Sequence, residues 1–504
     1  MATTSSEKVA FPVCLDGHTL KYEIECICKI FLPMTRFSFF YDTSALPKDA
    51  AEGVILTLEE LENNRSRFFV MVRLQGKSEI ETAVLSAYNS TIEKSLCEYQ
   101  FSAMLFHVFQ KLTGQKPAWG LLTGIRPVKK IQPLLRAGLS KLEIMQQMQE
   151  KYWVTPEKIA LTYETACVQE PLLQTTPMNS VGLYISIPFC PTRCSYCSFV
   201  SHSVEKAHQL ISAYVNRLCE ELSLWGEMVR QLHLTVDTIY FGGGTPTALT
   251  VQQLAQLLDA VQKNFDLSSL REYCVEAGRP DTITREKLET LRSYGVSRIS
   301  VNPQTMQNHV LEAIGRKHMV QQTLDAYALA REVGFNNINM DLIAGLPTDT
   351  PMGFHDTLNQ ILELEPDSIT IHSLTLKRAA NLFAQGKTQM HNSVHPMVQE
   401  SMTRLPEQGY APYYMYRQKN TVDNQENVGY ARKGKESLYN ILIMDESQSI
   451  FGAGCGASTK IIAPNGKITR IHNYKFPYEY LEHFDKLMEK KVTVREKMLK
   501  AMVP

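Results

Sequence analysis

"GLYISIPFCPTRCSYCSF", Gly182 to Phe199, begins as an apolar run of strand character and passes into a loop bearing Cys190, Cys194 and Cys197. Three thiols are one more than a disulfide uses and one fewer than a closed tetrahedral zinc site takes. The stretch poses two questions: which fold starts with this strand, and what completes the cysteine set.

Outward from it, short apolar runs alternate with helix-length segments. "GLYISIPF", "VDTIYFGGG", "EYCVEAG", "VSRISVN", "NINMDLIAG" and "DSITIHSL" make six βα units in a row. Such a series implies parallel strands. The expected fold class is α/β, an open sheet or a partial (β/α)6 barrel of the triosephosphate-isomerase type. In such folds the reactive groups follow the C-terminal ends of the strands. The unusual residues fall there: the cysteines after the first run, Gly242 to Pro246 after the second, Glu276 after the third, Gln304 after the fourth, Asp341 and Gly345 at the fifth.

Residues 1–175 read as a separate N-terminal α+β domain. In it "KYEIECICKIFL" alternates like a strand, and "STIEKSLCEYQFSAMLFHVFQKLTG" is an amphipathic helix closed by Gly114. "TGIRPVKK" places Pro127 in the first turn of another helix. Arg126, Lys129 and Lys130 there suit an anion at a helix start, or else a solvated face. The proline-bearing "QEPLLQTTPMNS", Gln169 to Ser180, is a connector with a boundary near residue 176. Residues 176–380 form the barrel, and 381–504 a C-terminal lobe covering one side of it.

The chain has 504 residues, with Lys and Arg balancing Asp and Glu at 52 each. Net charge thus gives no support to a nucleic-acid or membrane-surface role. No apolar run approaches the roughly 20 residues that span a bilayer. Scattered cysteines and a start without signal-peptide character lead to an expected cytoplasmic location.

Clustered thiolates bind zinc or an iron–sulfur cluster. His202 is available to complete a Cys3His zinc site. A compact loop with three thiolates also suits three corners of a 4Fe–4S cubane, leaving one iron for a substrate or cosubstrate.

C-x3-C-x2-C with an aromatic before the last cysteine resembles the signature of radical S-adenosylmethionine (SAM) enzymes. The resemblance implies a 4Fe–4S cluster on Cys190, Cys194 and Cys197, with SAM on the open iron. By the same resemblance Gly242, Gly243, Gly244 and Thr245 of "GGGTP" approach the SAM ammonium. Glu276, Gln304, Arg316 and Asp341 contact its ribose and carboxylate, and Tyr184 packs beside the sulfonium. Phe189 and Tyr196 are expected to shield the cluster. Each of these residues alone reads equally well as a structural one; their joint order and spacing carry the inference.

"YISIPFCPTRCSYCSF", "YFGGGTPT", "RISVNPQ", "NINMDLIAGLPTDT", "ENVGY" and "GAGCGAS" resemble the oxygen-independent coproporphyrinogen III oxidase family. The long N-terminal extension with "LLTGIRPVK" is similar to its coproporphyrinogen dehydrogenase HemZ branch. The resemblance implies oxidative decarboxylation of coproporphyrinogen III propionates to vinyl groups in haem biosynthesis, with an electron donor such as flavodoxin or ferredoxin. Arg417 and Lys419, among Tyr413, Tyr414 and Tyr416, offer cations beside aromatic walls for such a substrate. One departure stands out: Phe199 takes the place of a further cysteine in the characterised oxidases. "YCSF" instead resembles relatives that bind haem and deliver it, for which His372 or His318 is the candidate axial ligand. A zinc-stabilised binding module is the third reading.

Overall fold

The structure is a computed structural model and describes residues 10–33, 35–47, 50–63, 65–86, 94–198, 201–375, 394–418 and 421–502. The chain divides into two compact units: Met1–Gly124 with Gly138–Ala160, and Ile125–Ala137 with Leu161–Pro504. The break falls inside the helix Pro156–Gln174, ahead of the expected boundary at 176. Residues 125–137 and 161–175 belong with the barrel, as does the expected C-terminal lobe.

In the first unit, β1 (Phe11–Asp16), β2 (Phe37–Phe40), β3 (Gly53–Leu61), β4 (Arg65–Leu74) and β5 (Lys77–Ser86) form a sheet in the order β2-β1-β3-β4-β5. β1 runs parallel to β2 and β3, whereas β3, β4 and β5 are antiparallel. The β4–β5 turn places Gln75 and Gly76 at φ 51° and 74°, as a type I′ hairpin demands. "KYEIECICKIFL", expected as a strand, is instead the helix Lys21–Phe31 joining β1 to β2. Its buried residues are Ile24, Ile27, Cys28 and Phe31, a stripe at i, i+3, i+4 and i+7. The apparent alternation of Tyr22, Ile24, Cys26, Cys28 and Ile30 takes only Ile24 and Cys28 from that stripe and passes over Ile27 and Phe31. The amphipathic helix is present as Lys94–Thr113, and Gly114 follows it at φ 69° with its N–H on the Gln110 carbonyl.

The second unit is built on β6 (Ser180–Ile187), β7 (Phe189–Cys190), β8 (His202–Ser203), β9 (Thr235–Gly243), β10 (Glu272–Glu276), β11 (Arg298–Ser300), β12 (Ile338–Ala344) and β13 (Ser368–Ser373). β6, β9, β10, β11, β12 and β13 are the six expected strands, parallel and adjacent in chain order. Their near-continuous apolar character fits a sheet covered on both faces. Helices such as Val204–Gln231, Val251–Asn264 and Pro351–Leu364 supply the crossovers.

The C-terminal part extends this sheet at both edges. β14 (Ala411–Arg417) and β15 (Glu426–Ala431) add antiparallel to β13. β16 (Ser449–Ala453) pairs parallel with β6 and leads into the antiparallel β17 (Ser458–Ile462) and β18 (Ile468–His472). The result is one open eleven-stranded sheet. Strand pairing on this scale is why the expected lobe does not separate.

Two polar networks lock the unit. Glu221 and Lys491 form an ion pair with both side chains fully buried. Glu221 also accepts from Tyr480 Oη at 2.6 Å, Asn473 Nδ2 at 2.9 Å and Gly454 N at 2.8 Å, so the charges have the partners that burial requires. Near the helix Val128–Arg136, Arg126, read as an anion ligand or part of a solvated face, pairs with Glu446 at 2.6 Å. Arg470 and Lys460 also meet Glu446, at 2.7 and 3.4 Å.

Candidate functional site

β6 ends at Ile187, and two residues later Phe189–Cys190 pairs with His202–Ser203. This short pairing closes the cysteine loop at its base. At its tip, Ser195 N donates to the Ile314 carbonyl at 3.0 Å and Thr192 Oγ1 to the Gly315 carbonyl at 3.3 Å. Cys197 N bonds the Cys194 carbonyl at 3.2 Å. The loop is tied to the segment after the helix Asn308–Ala313, so its cysteines face the strand ends.

The glycine run is stitched to the same loop. Gly244 N donates to the Ile187 carbonyl at 2.7 Å, and Thr245 N to that of Phe189 at 2.8 Å. Thr245 Oγ1 lies 3.4 Å from Cys190 Sγ. A Cβ on Gly244 would stand 2.7 Å from the Phe189 oxygen and 3.0 Å from Cys190 Sγ; only glycine allows this approach. Gly243, at φ 104°, turns the chain off β9.

A cavity of about 380 Å³ lies over these strand ends, and Cys190, Cys194 and Cys197 line it together. Tyr196, Gly243, Gly244, Thr245, Glu276, Gln304, Arg316 and Asp341 line it too. Three expected residues stand behind its wall. Phe189 is fully buried, edge-on to Tyr214 at 5.3 Å. Tyr184 lies alongside the stacked pair of Tyr240 and Tyr439, its ring 6.3 Å from each. Gly242 lies against the Tyr240 and Tyr184 rings, where a Cβ would be 2.9 and 3.3 Å away.

The polar residues are individually positioned. Tyr240 Oη donates to Glu276 Oε1. Burial above all, helped by Asp341 nearby, raises the Glu276 carboxyl to about 7, against the opposing effects of Tyr240 and His372. Burial also opposes ionisation of Asp341, yet His372, Asn339 and Thr370 hold it below the ordinary carboxylate range. Asn339 Nδ2 donates to it at 2.7 Å, and His372 Nε2 is 3.7 Å away. Gln304 sits at φ 70°, its N–H on the Asp341 carbonyl at 2.9 Å and its buried side-chain oxygen without a partner among the described residues. Arg316 donates to the Asn302 carbonyl, and to Tyr196 Oη at 3.3 Å. Such an orphaned acceptor and a buried guanidinium facing one cavity suit a polar ligand.

The remaining sequence candidates divide. His372 lines the cavity, as do Tyr414 and Tyr416. His318 is outside the lining, its imidazole lowered to about 4 by burial and then by Arg316 and Arg279. Arg417 is buried and donates to Asn424 Oδ1 at 2.8 Å instead of lining the cavity. Lys419 and Phe199 lie outside the described residues. His202, the fourth ligand of the zinc reading, packs edge-on against Phe476 at 6.1 Å and Tyr478 at 6.5 Å, away from the cavity lining. Among the described residues, no three His, Cys, Asp or Glu side chains gather as ligands of a single ion would; a cubane stands between its thiolates and keeps them apart. Three thiols on one wall beside a glycine ledge are a donor set that fits such a cluster.

Sequence reasoning missed Arg279, Asn302, Asn339 and Tyr240, all of them on the wall. Tyr240, Asn302 and Asn339 lie inside the quoted runs "VDTIYFGGG", "VSRISVN" and "NINMDLIAG", and Arg279 directly follows "EYCVEAG", but only the position next to a strand end marked them.

Residues 184–361 match the Radical SAM superfamily, whose members use a 4Fe–4S cluster and SAM. The fold and the cavity thus define the class. Over 407 residues the chain is 41% identical to the oxygen-independent coproporphyrinogen-III oxidase-like protein HemZ of Bacillus subtilis, covering 79% of this chain and 81% of that protein. It is 33% identical to the heme chaperone HemW of the same organism, covering 54% of this chain and 69% of HemW. To the oxygen-independent coproporphyrinogen III oxidase of Bradyrhizobium diazoefficiens it is 32% identical, covering 46% and 52%. The chain belongs to the HemZ family of radical SAM proteins. No described helix is long and apolar enough to cross a membrane.

Proposed function

We propose that this protein carries out oxygen-independent oxidative decarboxylation of coproporphyrinogen III, converting propionates to vinyl groups. One observation carries the reading: the three cysteines, the glycine ledge and the polar side chains of four successive parallel strands line a single cavity. The similarity to the oxidase-like HemZ over most of the chain supports it.

In this reading Cys190, Cys194 and Cys197 hold the cluster. With SAM, that cluster would supply one-electron chemistry that removes a hydrogen from the β-carbon of a propionate; loss of carbon dioxide and of one further electron to an acceptor would then leave the vinyl group. Gly243 and Gly244 offer bare backbone to the SAM ammonium. Arg316, braced by Asn302 and Tyr196, faces its carboxylate. Asp341, held ionised, accepts from ribose hydroxyls, and Glu276 does so once it has released its proton. Gln304 fixes the edge of the site through its bonds to β12. Tyr184 and Phe189 act from behind the wall, keeping water from the reacting centre. Toward the substrate, Arg298, Tyr414 and Tyr416 combine cationic and aromatic surface. Electrons arrive from a donor such as flavodoxin or ferredoxin.

A second reading, haem binding and delivery, is favoured by His372 on the cavity wall and by the similarity to HemW. One experiment separates them: anaerobic reconstitution, then SAM, reductant and coproporphyrinogen III, following tetrapyrrole mass. Successive losses expected for decarboxylation, matched by 5′-deoxyadenosine, establish the oxidase. An unchanged tetrapyrrole despite SAM binding rejects it, and haem titration of wild type against His372→Ala then tests the carrier.

A further inference from the structure

Arg279 follows β10 and has no assigned part in the chemistry above. Its side chain is 4% exposed, and both oxygens of Asp281 grip its Nε and Nη2 at 2.9 Å. That fork fixes the plane of the group and leaves one edge for other partners. Nη1, on this edge, donates to Thr192 Oγ1 at 3.1 Å and to the Thr192 carbonyl at 3.4 Å. The same atom lies 3.9 Å from Cys194 Sγ.

Mechanical support of the loop does not depend on this residue alone, since Ser195 and Thr192 are also tied to the carbonyls of Ile314 and Gly315. Arg279, like Arg316, brings a charged donor to the Cys194 sulfur, and it does so from outside the residues assigned to SAM. Cys194 is 8% exposed, so little water screens that charge. Cys190 differs in its direct partners, the neutral hydroxyls of Thr245, at 3.4 Å, and Ser201, with the Arg279 charge reaching it only as a lesser effect. The carboxylate of Asp281 moderates the net charge but leaves the N–H dipole aimed at the sulfur.

We infer that Arg279 is a positioning residue that raises the reduction potential of the iron–sulfur cluster through the Cys194 sulfur. Hydrogen bonds and positive charge at a ligating sulfur stabilise the reduced cluster, which carries one more electron. The inference rests on assigning the three cysteines to a 4Fe–4S cluster.

The test uses the reconstituted full-length protein without SAM or tetrapyrrole. Iron and sulfide are assayed, and the cluster is titrated with reductant while its paramagnetic resonance signal is followed. Wild type taking up no cluster overturns the cluster assignment itself, independently of Arg279. With wild type loaded, Arg279→Gln is expected to keep full iron and to hold tenfold less reduced cluster at a given potential, a midpoint about 59 mV more negative. Arg279→Lys, which keeps the charge but not the fork, is expected to shift less in the same direction. An unmoved midpoint in a fully loaded Arg279→Gln overturns the inference. Should that variant load no iron, the lysine variant decides: a more negative midpoint supports the inference, and a wild-type midpoint reduces Arg279 to a buttress.

Discussion

Glu276 has its backbone at the end of a buried strand and its carboxyl where water is scarce, so its charge is costly. Its folded value of about 7 lies above the ordinary 4.5. The preference for the neutral form is fully expressed below the unfolded value and is lost as pH rises through about 7, at a cost approaching roughly 3 kcal/mol. Glu276→Gln stays neutral throughout. Denaturant unfolding of the apo protein from pH 5 to 8 should therefore show wild type losing stability relative to the variant, and parallel pH curves would refute the assignment. The same substitution should weaken SAM binding in the reading above. At Cys194 the expectation is simpler. Cys194→Ala leaves two thiolates, and both cluster iron and SAM cleavage should vanish; a full iron complement with cleavage intact would overturn the site.

Among the elements, the ledge after β9 is the least forgiving. An alanine at Gly244 would push on two carbonyl oxygens and on Cys190 Sγ, none of which is the free end of a flexible chain. Overpacking of this kind costs about 1–3 kcal/mol. Gly244→Ala should lower the unfolding midpoint and reduce iron loading together; a normally loaded variant would mean that the ledge can shift. The six parallel strands were legible because each is a short apolar run closed by an unusual residue at its C-terminal end. The helix Lys21–Phe31 was not, because a strand and a helix share many apolar positions over eleven residues. Eleven of the fourteen site residues reach the cavity wall. Phe189 does not, since it turns toward the helix side against Tyr214; Tyr184 and Gly242 share the face of the cavity-lining Tyr240 and are covered by the neighbouring tyrosine rings. Arg279 escaped notice because its significance is a distance to a sulfur, which spacing in sequence does not encode.

For the molecule as a whole, the ends of the second unit matter as much as its middle. Lys491, in the helix Phe484–Met502, reaches Glu221 in the helix that follows the cysteine loop. Removing one member of a buried pair strands the other, at about 3–5 kcal/mol. Lys491→Met should cost that much in denaturant unfolding, and Glu221→Gln with Lys491→Met should recover a good part of it. A loss no larger than that of a surface pair would show the charges to be solvated.

The place of β16 beside β6 also has a temporal meaning. β6 carries the cysteine loop at its end, yet one of its edges is closed by a strand encoded about 260 residues later. At ribosomal speeds of 5–20 residues per second that is roughly 13 to 52 s. Through that interval the nascent β6 offers a row of unpaired amides and carbonyls, a template for pairing with a neighbouring chain. A message cut short before Ser449 would leave that edge open permanently. Its product should accumulate as aggregate rather than as a smaller working enzyme, and iron delivery during translation would find its loop on an unfinished sheet.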